Sequence, residues 1–164
     1  MAKELQQREA ERAERNKAQQ LYQQAKWLQH QFLPIASRYR GENPPHALLI
    51  TGREGLGKSL LAESVVASIL CFTPQEGRPC GACQSCLWLA GGFHPDLYKI
   101  DEEGEIKVDT IRKIHHFTQI TAEAKGKIIL IQNADRMNIN AANSLLKVLE
   151  EPPARVYFIL VSSE

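Results

Sequence analysis

One eight-residue segment constrains the fold of this chain more than any other feature. Residues 52–59 read GREGLGKS and match the pattern G-x-x-x-x-G-K-[ST] at every position. An apolar run at 47–50 precedes the segment, and a helix-forming run at 60–70 follows it. A strand, a glycine-rich loop and a helix in this order are the context in which the pattern forms a phosphate-binding loop. The segment therefore predicts an α/β fold with a nucleotide-phosphate site at the end of a strand.

The residues of this loop have distinct expected roles. Gly52, Gly55 and Gly57 let backbone N–H groups converge on a β-phosphate, and the helix that begins near Lys58 adds its positive dipole end. Lys58 is expected to reach the β- and γ-phosphates, and the Ser59 hydroxyl is expected to ligate Mg²⁺. The same turn can persist as a purely structural element. Binding of ATP and Mg²⁺ is therefore a separate question from the presence of the loop.

The next buried strand lacks the acidic pair that ATP hydrolysis of this type uses. Residues 128–131 are apolar and are followed by Gln132 and Asn133, where an ATPase of this class usually carries Asp and Glu. An amide side chain can hydrogen-bond a hydrated ion, but it brings neither charge nor basicity. We expect Asp135, two residues further on, to begin a loop or cap a turn. No catalytic residue is therefore predicted, and hydrolysis is expected to be weak or absent.

All four cysteines of the chain lie close together, at Cys71, Cys80, Cys83 and Cys86. In a chain without a secretory signal, such clustering favours a metal site over disulfides. Four thiolates complete a closed tetrahedral Zn²⁺ site, whose role is structural because no ligand position is left open. An iron–sulfur cluster is the main alternative, and four free thiols are the simplest one. The nearby His94 is expected to cap a turn rather than to add a ligand.

The chain predicts one parallel α/β domain behind a polar extension. Residues 1–21 are rich in Gln, Glu, Arg, Lys and Ala and lack an apolar stripe, which predicts a helical or disordered extension. From residue 22 onward we expect a domain that carries the cysteine module at 71–86 and begins with a helix that Pro34 kinks or ends. Strands apolar on both faces predict a parallel sheet covered by helices. The predicted strands are 47–51, 97–101, 128–132 and 156–161, and the predicted helices are 58–70, 109–123 and 140–149.

Composition excludes several function classes. The net charge of +1 gives no global attraction for nucleic acid, so any DNA contact must come from a local patch or from neighbouring proteins. The first residues are charged, unlike a secretory signal, and no apolar run approaches the roughly 18 residues of a membrane span. We therefore expect no membrane contact and a cytoplasmic location.

Several motifs occur together in the order found in bacterial sliding-clamp loaders. They are the phosphate loop, the cysteine spacing, HPD at 94–96, VDTIR at 108–112 and NSLLKVLEEPP at 143–153. From about residue 22 to its end, the chain closely resembles the delta-prime subunits of bacterial DNA polymerase III, which are members of the AAA+ clamp-loader family. The gamma/tau motor subunits of that family carry Asp-Glu at the positions of Gln132 and Asn133. This difference favours a delta-prime-like protein over a motor.

The resemblance implies an AAA+ fold and a stator-like role in a hetero-pentamer. The other subunits would be gamma/tau and delta, and the complex would place the sliding clamp on primed DNA. The resemblance also implies an N-terminal fragment, because the family continues into an arginine-finger segment, a fifth strand, a lid and a collar. The fifth strand would flank the first one. We therefore expect residues 47–51 to form an unpaired, apolar sheet edge.

Two other functions stay open at this point. A gamma/tau-like ATPase would need Asp135 or Glu150 to replace the missing acids, and its turnover would depend on Lys58. We expect Glu150 and Glu151 instead to be exposed near the end of a helix. A small phosphate-loop kinase with a zinc lid is the third reading, and it leaves the segment 145–153 without a role.

Overall fold

The computed structural model describes residues 26–163 together with Lys3, Leu5 and Gln6. These three residues are helical, and the rest of the extension predicted at 1–21 lies outside the described residues. In chain order the elements are α1 (Lys26–Arg40), β1 (Ala47–Thr51), α2 (Lys58–Leu70), α3 (Gln84–Ala90), β2 (Leu97–Ile100), α4 (Val108–Thr118), β3 (Lys127–Ile131), a 3-10 turn (Ala134–Arg136), α5 (Ile139–Glu150) and β4 (Val156–Ser162). Among the helices of this described part, none is both long enough and apolar enough to cross a membrane.

The strands form one parallel sheet in the order β1-β4-β3-β2. β4, the last strand in sequence, lies between β1 and β3, with Ile50 opposite Val161 and Ile129 opposite Phe158. Because the strands are parallel, their carboxyl ends meet at one edge of the sheet, where open α/β sheets bind their ligands. The predicted α/β fold with a parallel, helix-covered sheet is confirmed, and β1 is an edge strand of this sheet.

The two central strands are apolar on both faces because helices cover both faces. On β3, Ile128 and Leu130 belong to the core beneath α1 and α2, whereas Ile129 and Ile131 belong to the core beneath α4 and α5. Successive side chains of a strand point to opposite faces, so a strand buried on both sides needs apolar residues throughout. All five residues of β3 are buried. The result is a three-layer arrangement of helix, sheet and helix.

Helix α1 does not end at Pro34, although an end there was one of the two outcomes predicted for this residue. The helix continues for another turn and a half, to Arg40. Proline removes one backbone hydrogen bond from a helix interior, and burial of an apolar stripe on either side of it can offset that loss. The stripe consists of four buried residues at helical spacing: Leu28, Phe32, Ala36 and Tyr39.

Two further differences lie between β2 and β3 and in the cysteine segment. Helix α4 ends at Thr118, short of the predicted residue 123. A buried carboxylate causes this early end, because Asp96 accepts hydrogen bonds from the backbone amides of Glu123 and Ala124 and holds them outside the helix. Helix α3, which follows the third cysteine, was not predicted.

Candidate nucleotide and metal sites

The glycine-rich loop lies between β1 and α2, at the carboxyl edge of the sheet. Its backbone has positive φ angles at Gly52 (149°), Gly55 (79°) and Gly57 (78°), which L-residues with side chains rarely adopt. At Gly57 the space is also restricted, because a Cβ there would lie 2.9 Å from the indole carbon Cη2 of Trp27. The loop that the motif predicts is therefore present, and its backbone conformation explains why these three positions are glycine.

Lys58 begins α2 and folds back onto the loop. Its ammonium donates hydrogen bonds to the carbonyl oxygens of Gly52 and Arg53, the latter at 2.8 Å. The helix starts directly at this point, since the Leu61 amide donates to the Gly57 carbonyl at 3.0 Å. Lysine is thus held beside the backbone amides of the loop, and it would exchange these carbonyl partners for the oxygens of a bound phosphate.

Ser59 contacts the residue that stands in place of the missing acid. Its hydroxyl donates a hydrogen bond of 3.0 Å to the side-chain oxygen of Gln132. Gln132 follows β3 directly, its backbone amide donates to the Ile100 carbonyl at 2.8 Å, and only 3% of it is exposed. The structure therefore brings the loop serine and the altered acid position into one site. The contact between them is neutral.

The other acids considered from the sequence lie elsewhere. Asp135 accepts hydrogen bonds from the Ser162 hydroxyl at 3.2 Å and from the Ser163 amide at 3.1 Å. The Ser163 amide lowers the pKa of the Asp135 carboxyl, so it stays ionised as an anchor for the end of β4. Glu150 and Glu151 are exposed at the end of α5. Asp135 therefore acts as a turn residue, as expected, and Ser59 is bound to Gln132 rather than to it.

The four cysteines converge on one point. Their sulfur atoms all lie within 4.8 Å of one another, with Cys71 and Cys83 at 3.8 Å and Cys80 and Cys86 at 4.0 Å. Zinc–sulfur bonds of about 2.3 Å in a tetrahedron place neighbouring sulfurs about 3.8 Å apart. The cluster fits a single tetrahedral metal ion.

Hydrogen bonds and burial give the cysteines different acidities. The Thr73 hydroxyl and the Ala82 amide lower the pKa of Cys80 to about 6, which favours the thiolate. Burial instead raises the pKa of Cys71 and of Cys86. Metal ligation requires all of these groups as thiolates, so a bound cation would offset the cost of ionising the buried pair.

A buried histidine connects the cysteine module to the sheet. The Ser85 hydroxyl donates to the Leu70 carbonyl at 2.7 Å and lies 2.8 Å from Nε2 of His94, while the Asp96 amide donates to Nδ1 of His94 at 3.0 Å. Because Nδ1 accepts, the ring is neutral and donates its Nε2 proton to Ser85. Burial lowers the pKa of His94 and favours the same neutral form. The histidine caps its turn as predicted, but the contact with Ser85 was not anticipated.

Sequence reasoning also missed a buried ion pair between Lys127 and Asp96, next to His94. The ammonium of Lys127 lies 3.8 Å from the Asp96 carboxylate and 4.1 Å from the centre of the Phe117 ring. Both charged side chains are almost fully buried, with 2% and 1% exposed. Asp96 also accepts the amides of Glu123 and Ala124. A lysine at the start of an otherwise apolar strand was the signal, and it becomes informative only once its distant partner Asp96 is known.

With this geometry established, comparison with known proteins identifies the family. The family model described as DNA polymerase III, delta subunit, matches residues 27–164. The chain belongs to this family. The resemblance to clamp-loader subunits inferred from the motifs is thereby confirmed.

Individual relatives agree with this membership. The chain is 43% identical to the DNA polymerase III subunit delta' of Pseudomonas aeruginosa, over 73% of this chain and 38% of the relative. It is 34% identical to the DNA polymerase III subunit tau of Salmonella typhimurium, over 73% of this chain and 19% of the relative. A solved DNA polymerase III gamma subunit-related protein from Thermotoga maritima shares the fold, with a TM-score of 0.59 and 24% identity, over 80% of this chain and 39% of that one. The chain thus spans less than half the length of these relatives.

Proposed function

We propose that this chain is the nucleotide-binding part of a delta-prime-like clamp-loader subunit that binds ATP but hydrolyses it weakly or not at all. The hydrogen bond between Ser59 and Gln132 carries the proposal. It places a neutral amide where a motor subunit needs a carboxylate, beside a loop that is otherwise complete. In this proposal residues 22–164 form an AAA+ domain that contains a metal module at 71–86.

The loop supports nucleotide binding for electrostatic reasons. The loop amides and the amino end of α2 favour an anion, and Lys58 lies beside them. We propose Gly52, Gly55, Gly57, Lys58 and Ser59 as the residues that contact the phosphates and any accompanying Mg²⁺.

The altered acid position argues against turnover. Hydrolysis needs a group that orients or deprotonates the attacking water, and such general catalysis contributes about 10²–10⁴-fold to rate. Gln132 and Asn133 have no basicity, and Asp135 is engaged with Ser162 and Ser163. The chain therefore lacks a suitable acid at this position, and we expect it to act through contacts with its neighbours.

The relatives suggest which neighbours these are. Their printed names are DNA polymerase III subunits delta' and tau, so we propose assembly with gamma/tau and delta subunits in a hetero-pentamer. The sliding clamp and primed DNA would be reached through the complex, because a net charge of +1 offers little attraction for DNA by itself. The proposed location is the cytoplasm, where such a complex would act.

We further propose that Cys71, Cys80, Cys83 and Cys86 hold one structural Zn²⁺. The sulfur spacing fits a tetrahedral ion, and all four donors are soft thiolates. When bound, the ion would crosslink the end of α2 to α3 and supply no reactive position.

The test is equilibrium binding of Mg-ATP together with phosphate release in the same samples. Wild type is compared with Lys58→Ala, and Lys113→Ala on the exposed face of α4 is the matched control. We expect wild type and the control to bind ATP without release above background, and Lys58→Ala to bind at least about tenfold more weakly. Release that depends on Lys58 would establish a gamma/tau-like ATPase instead. Absence of binding by every protein would make the loop a structural turn.

A further inference from the structure

The contact of Ser59 with Gln132 has a consequence for the ion that accompanies the nucleotide. Mg²⁺ is a hard cation that keeps several waters and is usually held by one or two carboxylates plus substrate phosphates. The Ser59 hydroxyl keeps its oxygen lone pairs while it donates to Gln132, so the serine itself remains suited to a metal. The described site lacks a carboxylate that would bind Mg²⁺ together with Ser59.

The neighbouring groups do not replace that charge. Asn133, the next residue, is neutral and adopts a left-handed backbone conformation (φ 54°) as the chain turns away from β3. The Asp135 carboxylate is directed to the end of β4, where it holds Ser162 and Ser163. On the loop side, the charged group at the phosphate position is the Lys58 ammonium. The other two charged residues of the loop, Arg53 and Glu54, are exposed and of opposite sign. The field at the phosphate position is therefore set mainly by amide dipoles and the Lys58 ammonium.

We propose that this site binds its nucleoside phosphate without requiring Mg²⁺. The loop amides and the Lys58 ammonium attract the phosphate oxygens directly, and free ATP carries two more negative charges than its magnesium complex. In a motor subunit the carboxylate adds an attraction for the ion. Here the neutral amide of Gln132 adds none, so Mg²⁺ contributes little to affinity. This inference rests on the proposed function, since it requires that the loop bind nucleotide.

Gln132 offers an isosteric test, because Gln132→Glu adds one charge without changing the shape of the side chain. The matched control is Gln119→Glu, the same substitution at an exposed residue after the end of α4. In a parallel sheet a helix that follows a strand runs from the carboxyl edge to the amino edge, so Gln119 lies at the edge opposite the loop. Any difference between the variants then reports the position of the charge.

The experiment titrates the full chain calorimetrically with ATP and with ADP, with excess magnesium chloride or in magnesium-free buffer at mildly alkaline pH. Magnesium is removed from the buffer with a resin, because EDTA would also take metal from the cysteines. We expect dissociation constants of wild type and Gln119→Glu to change by no more than about threefold with Mg²⁺. Gln132→Glu should bind at least about tenfold more tightly with Mg²⁺ than without it.

The outcomes separate this inference from the proposed function. Wild-type binding that requires Mg²⁺ would overturn the inference and leave nucleotide binding intact. Equal behaviour of Gln132→Glu and wild type, with the variant folded by circular dichroism, would overturn the role of Gln132. No binding of either nucleotide under both conditions would overturn both proposals. If Gln132→Glu fails to fold, the wild-type comparison with and without Mg²⁺ still decides.

Discussion

The glycines of the phosphate loop meet two separable demands, a backbone conformation and a lack of space. Gly55 and Gly57 have nearly the same φ, 79° and 78°, so alanine at either position pays a similar conformational cost of about 1–2 kcal/mol. Only at Gly57 would the added Cβ meet another group, Trp27 at 2.9 Å. At Gly55 nothing lies within 4 Å. The loop and the start of α1 are therefore coupled through one side chain.

We predict that Gly57→Ala destabilises the chain by up to about 1 kcal/mol more than Gly55→Ala, because only its added methyl group must displace the indole of Trp27, which is 54% exposed. Thermal unfolding of both variants measures the difference. In a Trp88→Phe background, the emission of Trp27 should shift in Gly57→Ala and stay unchanged in Gly55→Ala. Equal stabilities and equal spectra would show that the indole yields without cost.

The neutral ring of His94 predicts a pH-dependent stability. The folded pKa lies below the usual value because of burial, whereas an unfolded histidine titrates near 6.5. As the pH falls below about 6.5, the unfolded chain takes up a proton that the folded chain resists. The contribution of the neutral ring to the free energy of unfolding is therefore complete above that pH and is lost as the pH falls.

Urea unfolding between neutral and mildly acidic pH tests this contribution. We expect His94→Gln to cost about 1–3 kcal/mol at neutral pH, since it disrupts the hydrogen bonds of Ser85 and Asp96. It should also reduce the loss of stability on acidification, relative to wild type. His116→Gln, which removes an exposed histidine, is the control and should retain the wild-type pH profile. Thiolate protonation acts on all three proteins alike, so the differences between them isolate His94.

At the level of elements, the cysteine module is attached to the rest of the fold at three points: Cys71, the Ser85 hydroxyl and His94. Cys71 follows α2, Cys83 immediately precedes α3, and Cys86 lies within α3. The Ser85 hydroxyl binds the Leu70 carbonyl at the end of α2, beside Cys71. The third attachment is His94, just ahead of β2. Loss of the metal would therefore affect the end of α2 as well as the module.

We predict one bound zinc per chain in wild type and a marked loss of stability when it is removed. Cys86→Ser should abolish stoichiometric zinc and lower the free energy of unfolding by about 3–5 kcal/mol. Metal content by mass spectrometry and the unfolding midpoint measure these effects. Gln84→Ser, an exposed change in the same module, should leave both unchanged. An iron signal, or full stability of Cys86→Ser, would contradict a structural zinc.

The elements differ in how far the sequence predicts them. The bounds of β1 and α2 follow directly from the loop motif, and β3 and β4 follow from apolar runs buried on both faces. Helix α3 is hidden because it is only seven residues long and begins between Cys83 and Cys86, two cysteines spaced for ligation. The end of α4 depends on Asp96, a residue distant in sequence, and the length of α1 depends on burial beyond Pro34. Local pattern succeeds where one motif decides the structure and fails where a tertiary contact decides it.

The same distinction holds for the site. Two short segments were enough to predict the roles of Lys58 and Ser59 and the lack of an acidic residue at position 132. The hydrogen bond that joins Ser59 to Gln132 also required the fold, because the residues lie 73 positions apart. The contacts of His94 with Ser85 and of Asp96 with Lys127 were not predictable in this way, because Ser85 and Lys127 belong to no motif and lie at a distance in sequence.

For the whole molecule, the order of the strands determines which groups share the site. β4 lies between β1 and β3, so its carboxyl end, with Ser162, is inserted between the loop and the end of β3. Asp135 fixes that end by binding Ser162 and Ser163. The phosphate loop, the altered acid position and the end of β4 thus form one row along the carboxyl edge.

The same strand order leaves β1 at the sheet edge, where Leu49 is 60% exposed. An exposed apolar edge strand is a template for pairing with another chain, and an inserted charge opposes such pairing. We therefore predict that the chain self-associates with increasing concentration and that Leu49→Lys weakens this association at least about tenfold. Leu146→Lys is the matched control, since Leu146 is 55% exposed on α5, a helix and not an edge strand. Sedimentation equilibrium of the three proteins measures the effect. Equal weakening by both substitutions would assign the association to general apolar contact, and a monomeric wild type would show that the edge is protected.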